Sequence, residues 1–155
     1  MRKPGSKAIV VHGNKICLVL RDNNPNIPHP NMWNTPGGAV EEGETPREAM
    51  ARELKEEINL NATDLIFTGI TTYTDGSIVH RFFVPVTDEQ FANIRLVHEG
   101  QRLEWFPIEE MLHLQANEKF SSYFGAYLET HTEDIRALCE GKRDFEVRDE
   151  ILGIE

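Results

Sequence analysis

Between residues 45 and 59 the chain reads TPREAMARELKEEIN, a stretch that carries the signals to start, hold and stop an α-helix. Thr45 suits the N-cap, Pro46 the first helical position, and Glu48 stands three residues after Thr45 as in a capping box. Asn59 tolerates the left-handed conformation with which many helices stop. With each residue turning about 100°, Met50, Leu54, Ile58 and Ala51 fall in one stripe roughly 100° wide, which must bury against a neighbouring layer. Relative to Met50, Glu57 falls at about −20°, Glu53 at about −60° and Glu56 at about −120°. The three carboxylates fan out beside the stripe, with Glu57 closest to its edge, and share one wall of any cleft the helix lines.

Glutamates on a helix most often decorate a solvated face. Here, however, seven glutamates between positions 41 and 57 face only Arg47, Arg52 and Lys55. Like charges at i,i+3 and i,i+4 cost a few tenths of a kcal/mol per pair, and Lys55, at about 140°, lies too far round the helix to screen them. A hard divalent cation would turn that repulsion into coordination, which makes the cluster a candidate metal site. Just upstream, Pro36-Gly37-Gly38 lets main chain approach a ligand or metal closely.

The 155 residues include 26 Asp plus Glu against 16 Lys plus Arg, a net charge of −10. Nucleic-acid binding needs a basic patch, so this balance argues against a nucleic-acid polymer as partner. The length suits a single domain over residues 1–155. No apolar run approaches the roughly 20 residues of a membrane span, and residues 8–11 are too short for a signal-peptide core. Cys17 and Cys139 match neither a disulfide framework nor a zinc site, which points to a reducing, cytoplasmic setting.

Residues 8–11 and 15–20 read as a hairpin turning at His12-Gly13-Asn14. Three prolines and four asparagines within 21–31 mark a long loop. Further strands are expected at 65–73 and 78–86, joined through Asp75-Gly76, and at 102–106. Pro85 confines its strand to a sheet edge or places it at the strand's end. A helix should start at Pro107, and one or two more should fill 118–139. Irregular alternation of this kind indicates an α/β or α+β chain with a mixed sheet.

From Gly38 onward the spacing is five residues to Glu44, seven to Arg52-Glu53-Leu54, one to Glu56-Glu57, and one to Asn59-Leu60. This resembles the Nudix hydrolase signature GX5EX7REUXEEXGU, U being aliphatic, at every fixed position except Asn59, where the family has Gly. The resemblance, which is MutT-like, implies an α/β/α sandwich around a central mixed β-sheet. It also implies hydrolysis of a nucleoside diphosphate linked to another moiety, with Mg²⁺, or Mn²⁺ in its place. Carried over by position, Glu53, Glu56 and Glu57 are the expected metal ligands and catalytic carboxylates. Gly38 would add a backbone carbonyl, Gly37 would approach the substrate, and Glu44 and Arg52 would support the glutamates. Glu56, Glu57 and a loop glutamate all stay open as the general base.

Beyond the motif, residues 98–111 resemble the segment in which many family members place a further acidic residue, and Glu99 matches it as a ligand or base. Residues 114–120 resemble the stretch where MutT-type 8-oxo-dGTP diphosphatases read the purine with an asparagine. Asn117 matches that position, with helix capping as its rival role. Arg21 is a candidate phosphate or base contact, surface ion pairing being the alternative. Trp33 could wall the pocket or anchor the long loop, and at most one of Phe82 and Phe83 can stack on a base. Trp105 and Phe106 read as core residues, and neither His29 nor His80 as a metal ligand. The markers of ADP-ribose and dinucleoside polyphosphate hydrolases have no counterpart near 75–78. The expected substrate is therefore a nucleoside triphosphate, an oxidised purine such as 8-oxo-dGTP being one candidate. A nucleotide sugar and a non-catalytic nucleotide sensor remain as alternatives, and a homodimer stays open beside a monomer.

Overall fold

Strands with apolar side chains on both faces need a layer on each side, and Gly5–His12 forms such a strand. A computed structural model describes residues 3–116 and 119–154. The elements are β1 (Gly5–His12), β2 (Lys15–Leu20), β3 (Trp33–Asn34), β4 (Gly37–Ala39), α1 (Pro46–Ile58), β5 (Ile66–Tyr73), β6 (Ile78–Pro85), α2 (Asp88–Asn93), β7 (Arg102–Pro107), α3 (Ile108–Ala116), α4 (Ser122–Cys139) and β8 (Glu150–Leu152). The strands form one mixed sheet in the order β3-β2-β1-β6-β5-β8, with β4 added to β1 and β7 to β2. β1 runs parallel to β6 and β5 to β8, while the remaining pairs are antiparallel.

Side-chain alternation along the central strands divides the core in two. Ile9, Val11, Ile16, Leu18 and Phe83 face α3 and α4, where Met111, Phe124, Leu128 and Ile135 cover them. Ala8, Val10, Cys17, Val19 and Phe82 face α1 and pack on Met50, Leu54 and Ile58. This is the three-layer α/β arrangement expected from the motif. Both Phe82 and Phe83 are buried, in opposite layers, so neither is available to stack on a base. Trp33 is also buried, edge-on against Phe106. It anchors the long loop from inside the core and does not wall a pocket.

Several local expectations shift once the layers are assembled. Pro85 stands at the end of β6, one of its two expected places, and the strand itself is central, flanked by β1 and β5. On α1 the fourth buried residue is Ala49, Ala51 being only half-buried. α4 starts at Ser122 with Ser121 as its N-cap, later than the expected 118. Four elements escaped the sequence reading, among them the two-residue β3. α2 starts with a Thr87–Gln90 capping box, β4 is only three residues long, and β8 is a parallel edge strand. The segment leading into β8 passes β5 at Gly69, where a side chain would collide with the Arg148 carbonyl.

The ends of α1 follow the sequence signals. Thr45 Oγ1 accepts from the Glu48 amide at 3.1 Å, and Glu48 Oε1 accepts from the Thr45 amide at 2.9 Å. Asn59 adopts φ 59° and ψ 33°, the left-handed cap. Its side chain does what a glycine could not: Nδ2 donates to the Asn93 carbonyl at 3.0 Å, tying the end of α1 to the end of α2. Asn59→Ala is expected to lose both the left-handed tolerance and this donor, lowering unfolding free energy by about 1–3 kcal/mol in urea titrations. Asn59→Gly should stay within about 1 kcal/mol of the parent, and an alanine variant as stable as the parent would rule out the cap as the reason for Asn59.

Candidate functional site

The sheet places β4 beside the start of β1, with Ser6 opposite Gly38 and Lys7 opposite Gly37. α1 lies directly over this pair. A Cβ on Gly38 would stand 2.5–2.7 Å from the three carboxylate atoms of Glu53, so only glycine allows that carboxylate to rest on the main chain. Gly37 has φ 138°, and a side chain there would collide with the Ser6 carbonyl. Its amide donates to Glu57 Oε2 at 3.1 Å. The glycine pair thus brings backbone polar groups up to two of the motif glutamates.

Arg52 organises the others. Its Nε and Nη2 grip both oxygens of Glu44 at 2.7 and 2.9 Å, Nη1 reaches Glu53 Oε1 at 3.0 Å and Glu56 Oε2 at 3.1 Å, and Nη2 also donates to the Ala39 carbonyl at 3.0 Å. The fork geometry of the guanidinium lets one side chain hold three carboxylates. This hydrogen bonding lowers the Glu44 carboxyl to about 2, helped by the Glu41 amide, and raises Arg52. Glu57 behaves oppositely. Burial raises its pKa, against the opposing pull of Lys7 and the Gly37 amide.

Glu53, Glu56 and Glu57 line one wall of a cavity of about 580 Å³, together with Gly37, Gly38 and Glu99. The fan expected on the helix is visible in the side-chain exposures of 19% for Glu53 and 58% for Glu56. Among the described residues, Glu53 Oε2, Glu56 Oε1 and Glu57 Oε1 have no hydrogen-bond partner. No three carboxylate, imidazole or thiol side chains converge into a finished cation cage among those residues. The donor set is nevertheless the hard-oxygen set that a divalent cation with waters and phosphate oxygens prefers.

The segment between α2 and β7 is docked on the end of α1. The Arg95 amide donates to the Ile58 carbonyl at 3.0 Å and the Val97 amide to the Glu57 carbonyl at 3.1 Å. Helix-end carbonyls are thereby satisfied, and Glu99 is carried to the cavity rim with His98 beside it. Arg21 also lines the cavity, but its Nε donates to the Pro28 carbonyl at 2.8 Å, across the long loop. In this position Arg21 braces the loop, and among the described residues it makes no ion pair. Gln101 Nε2 completes the brace, donating to the Arg21 carbonyl and Asn31 Oδ1 at 2.8 Å each. Asn117 lies outside the described residues.

Sequence reasoning missed Lys7, Asn34 and Thr35, which also line the cavity. A lone lysine in a strand carries no local signal, and its position beside Gly37 exists only through the pairing of β1 with β4.

Comparison with known proteins bears on the same region. A family model described as NUDIX domain matches residues 1–127. The CTP pyrophosphohydrolase of Escherichia coli (strain K12) is 32% identical over 108 residues, 68% of this chain and 76% of that protein. The 8-oxo-dGTP diphosphatase of Proteus vulgaris is 41% identical over 55 residues, 34% of this chain and only 49% of that protein's length. A solved NUDIX hydrolase from Nitrosomonas europaea shares the fold with a TM-score of 0.74, covering 99% of this chain and 81% of that one at 18% identity. Because the family match runs through the whole glycine and glutamate apparatus and most of the chain around it, this protein belongs to the Nudix hydrolase family.

Proposed function

We propose that the protein hydrolyses a nucleoside triphosphate to the monophosphate and pyrophosphate with Mg²⁺, or with Mn²⁺ in its place. The observation that carries this reading is the carboxylate wall. Three glutamates each keep one oxygen without a hydrogen-bond partner among the described residues, on the open side of a cavity large enough for a nucleotide. A polyphosphate can approach such a wall only with cations between the two layers of negative charge. Glu53, Glu56 and Glu57, with the Gly38 carbonyl and Glu99, would hold a divalent cation, which when bound polarises a phosphoryl oxygen and acidifies water. Arg52 keeps Glu53 and Glu56 oriented. Water attacks phosphorus, its proton passes to Glu56, Glu57 or Glu99, and the phosphoanhydride bond breaks with pyrophosphate leaving.

The names of the relatives, CTP pyrophosphohydrolase and 8-oxo-dGTP diphosphatase, support a triphosphate substrate. Purine recognition through Asn117 would favour 8-oxo-dGTP. One observation favours a second reading, a nucleotide sugar: Asp22, Asn24 and Ile27 of the long loop line the cavity and extend it beyond the carboxylate wall.

A product-resolved assay should separate these readings. Pyrophosphate release from dGTP, CTP or 8-oxo-dGTP is expected, whereas release of a sugar phosphate would replace the triphosphate assignment. Chelation of divalent cations should abolish turnover, and added Mg²⁺ should restore it; full activity in excess chelator would overturn the mechanism. Glu57→Gln is expected to lower kcat by about 10²- to 10⁴-fold. Because burial raises the pKa of Glu57, its ionised form opposes folding at neutral pH, so the neutral glutamine should leave the thermal midpoint unchanged or higher. Unaltered nucleotide binding and nucleotide-dependent behaviour in a variant that never had turnover to lose would favour a sensor.

A further inference from the structure

The cavity is lined by five carboxylates, Asp22, Glu53, Glu56, Glu57 and Glu99, and by two basic side chains, Lys7 and Arg21. Arg21 is braced against the long loop. Lys7 is differently placed. It lies on β1 opposite Gly37, and its Nζ donates to the Thr35 and Gly37 carbonyls at 3.3 Å each. These contacts are long for an ammonium group, whose bonds to good acceptors run about 2.7–2.9 Å. Among the described residues Lys7 makes no ion pair; burial lowers its pKa, the charge of Glu57 opposing this and the charges of Arg21 and Arg81 adding to it. Lys7 is half-buried, lines the cavity, and has two carbonyls but no close anion beside it, so an anion that enters the cavity can take up its unused donor capacity.

Thr35 supplies an independent second observation. It is 2% exposed, lines the same cavity, and its Oγ1 is buried without a hydrogen-bond partner among the described residues. Buried hydroxyls are rarely left in this state. The two groups are neighbours, since the Thr35 carbonyl is one of the acceptors of Lys7 Nζ. They also stand next to the catalytic wall: Lys7 reaches the carbonyl of Gly37, whose amide holds Glu57.

We propose that Lys7 Nζ and Thr35 Oγ1 form an oxyanion subsite that takes a nonbridging phosphoryl oxygen of the substrate. The inference rests on the polyphosphate reading above. In this arrangement the phosphoryl group is held between a cation and hydroxyl on one side and the carboxylate wall on the other, and orientation does not depend on the metal alone. Both groups gain the partner they lack, and the gain is realised only when an anion is bound.

Inorganic pyrophosphate is the probe, titrated calorimetrically with Mn²⁺ present into the parent, Lys7→Met and Thr35→Val, with Mn²⁺ alone titrated in parallel. Lys7→Met is expected to weaken pyrophosphate binding by about 10- to 100-fold and the isosteric Thr35→Val by about 2- to 10-fold. Mn²⁺ alone should bind Lys7→Met at least as tightly as the parent, since a positive charge near Glu57 has been removed. Equal losses of Mn²⁺ and pyrophosphate affinity would overturn the subsite, because Lys7 would then act only through the carboxylates. If Lys7→Met does not fold, unchanged pyrophosphate binding by folded Thr35→Val would overturn it as well. A parent protein that turns over nucleotides while both variants bind pyrophosphate normally sinks the subsite alone. The converse pattern, weakened pyrophosphate binding with no turnover of any nucleotide by the parent, supports the subsite and removes the hydrolase reading.

Discussion

The contact between the Gly37-Gly38 main chain and the acidic face of α1 is the point at which the layers of this protein and its chemistry meet. It depends on the absence of two side chains. A Cβ at Gly38 would occupy the place of the Glu53 carboxylate, and one at Gly37 would collide with β1. With both absent, β4 pairs with β1 on one side and touches α1 on the other. The Gly37 amide then meets Glu57, and Lys7 comes to the same edge. Closing this contact requires that like charges be crowded together, which would be costly on an isolated helix.

Arg52 offsets that crowding in part. Its guanidinium engages Glu44, Glu53 and Glu56 and reaches back to the Ala39 carbonyl on β4, so one side chain joins the helix, the preceding turn and the strand. Glu57 is left outside this network. It is desolvated instead, held by one backbone amide and the field of Lys7. The site therefore sets Glu44, whose ionised form Arg52 favours, against Glu57, which resists ionisation, and environments that differ in this way are typical of functional sites.

Two departures from simple expectation acquire physical reasons in the folded protein. Asn59 stands where the family motif has glycine, and the left-handed cap survives because asparagine tolerates it. Its amide gains a partner in the Asn93 carbonyl, which helps seat the segment carrying Glu99 on the helix end. Arg21 lines the cavity, and the loop that follows it doubles back within reach of its Nε, so it also braces that loop at the cavity mouth. In both cases a nearby backbone carbonyl, invisible in the linear sequence, sets the role of a polar side chain.

What was legible in the sequence was local. The capping box, the proline at the helix start, the left-handed stop and the angular order of Glu57, Glu53 and Glu56 all depend on residues within a few turns of one another, so α1 could be read in detail. The hairpins at Gly13 and Gly76 were readable for the same reason. β4 and β8 were not, because three-residue strands carry almost no periodic signal and exist only where a partner strand presents its edge. Phe82 and Phe83 could be sent to opposite faces by alternation, but only the closing of a helical layer over each face decided that both are buried. Lys7 entered the site through the β1–β4 register. The sequence by itself determined the helix, its charges and the glycine turn, since those follow from short-range sterics and hydrogen bonding. Tertiary structure decided which distant residues share the cavity with them, since that depends on long-range strand pairing.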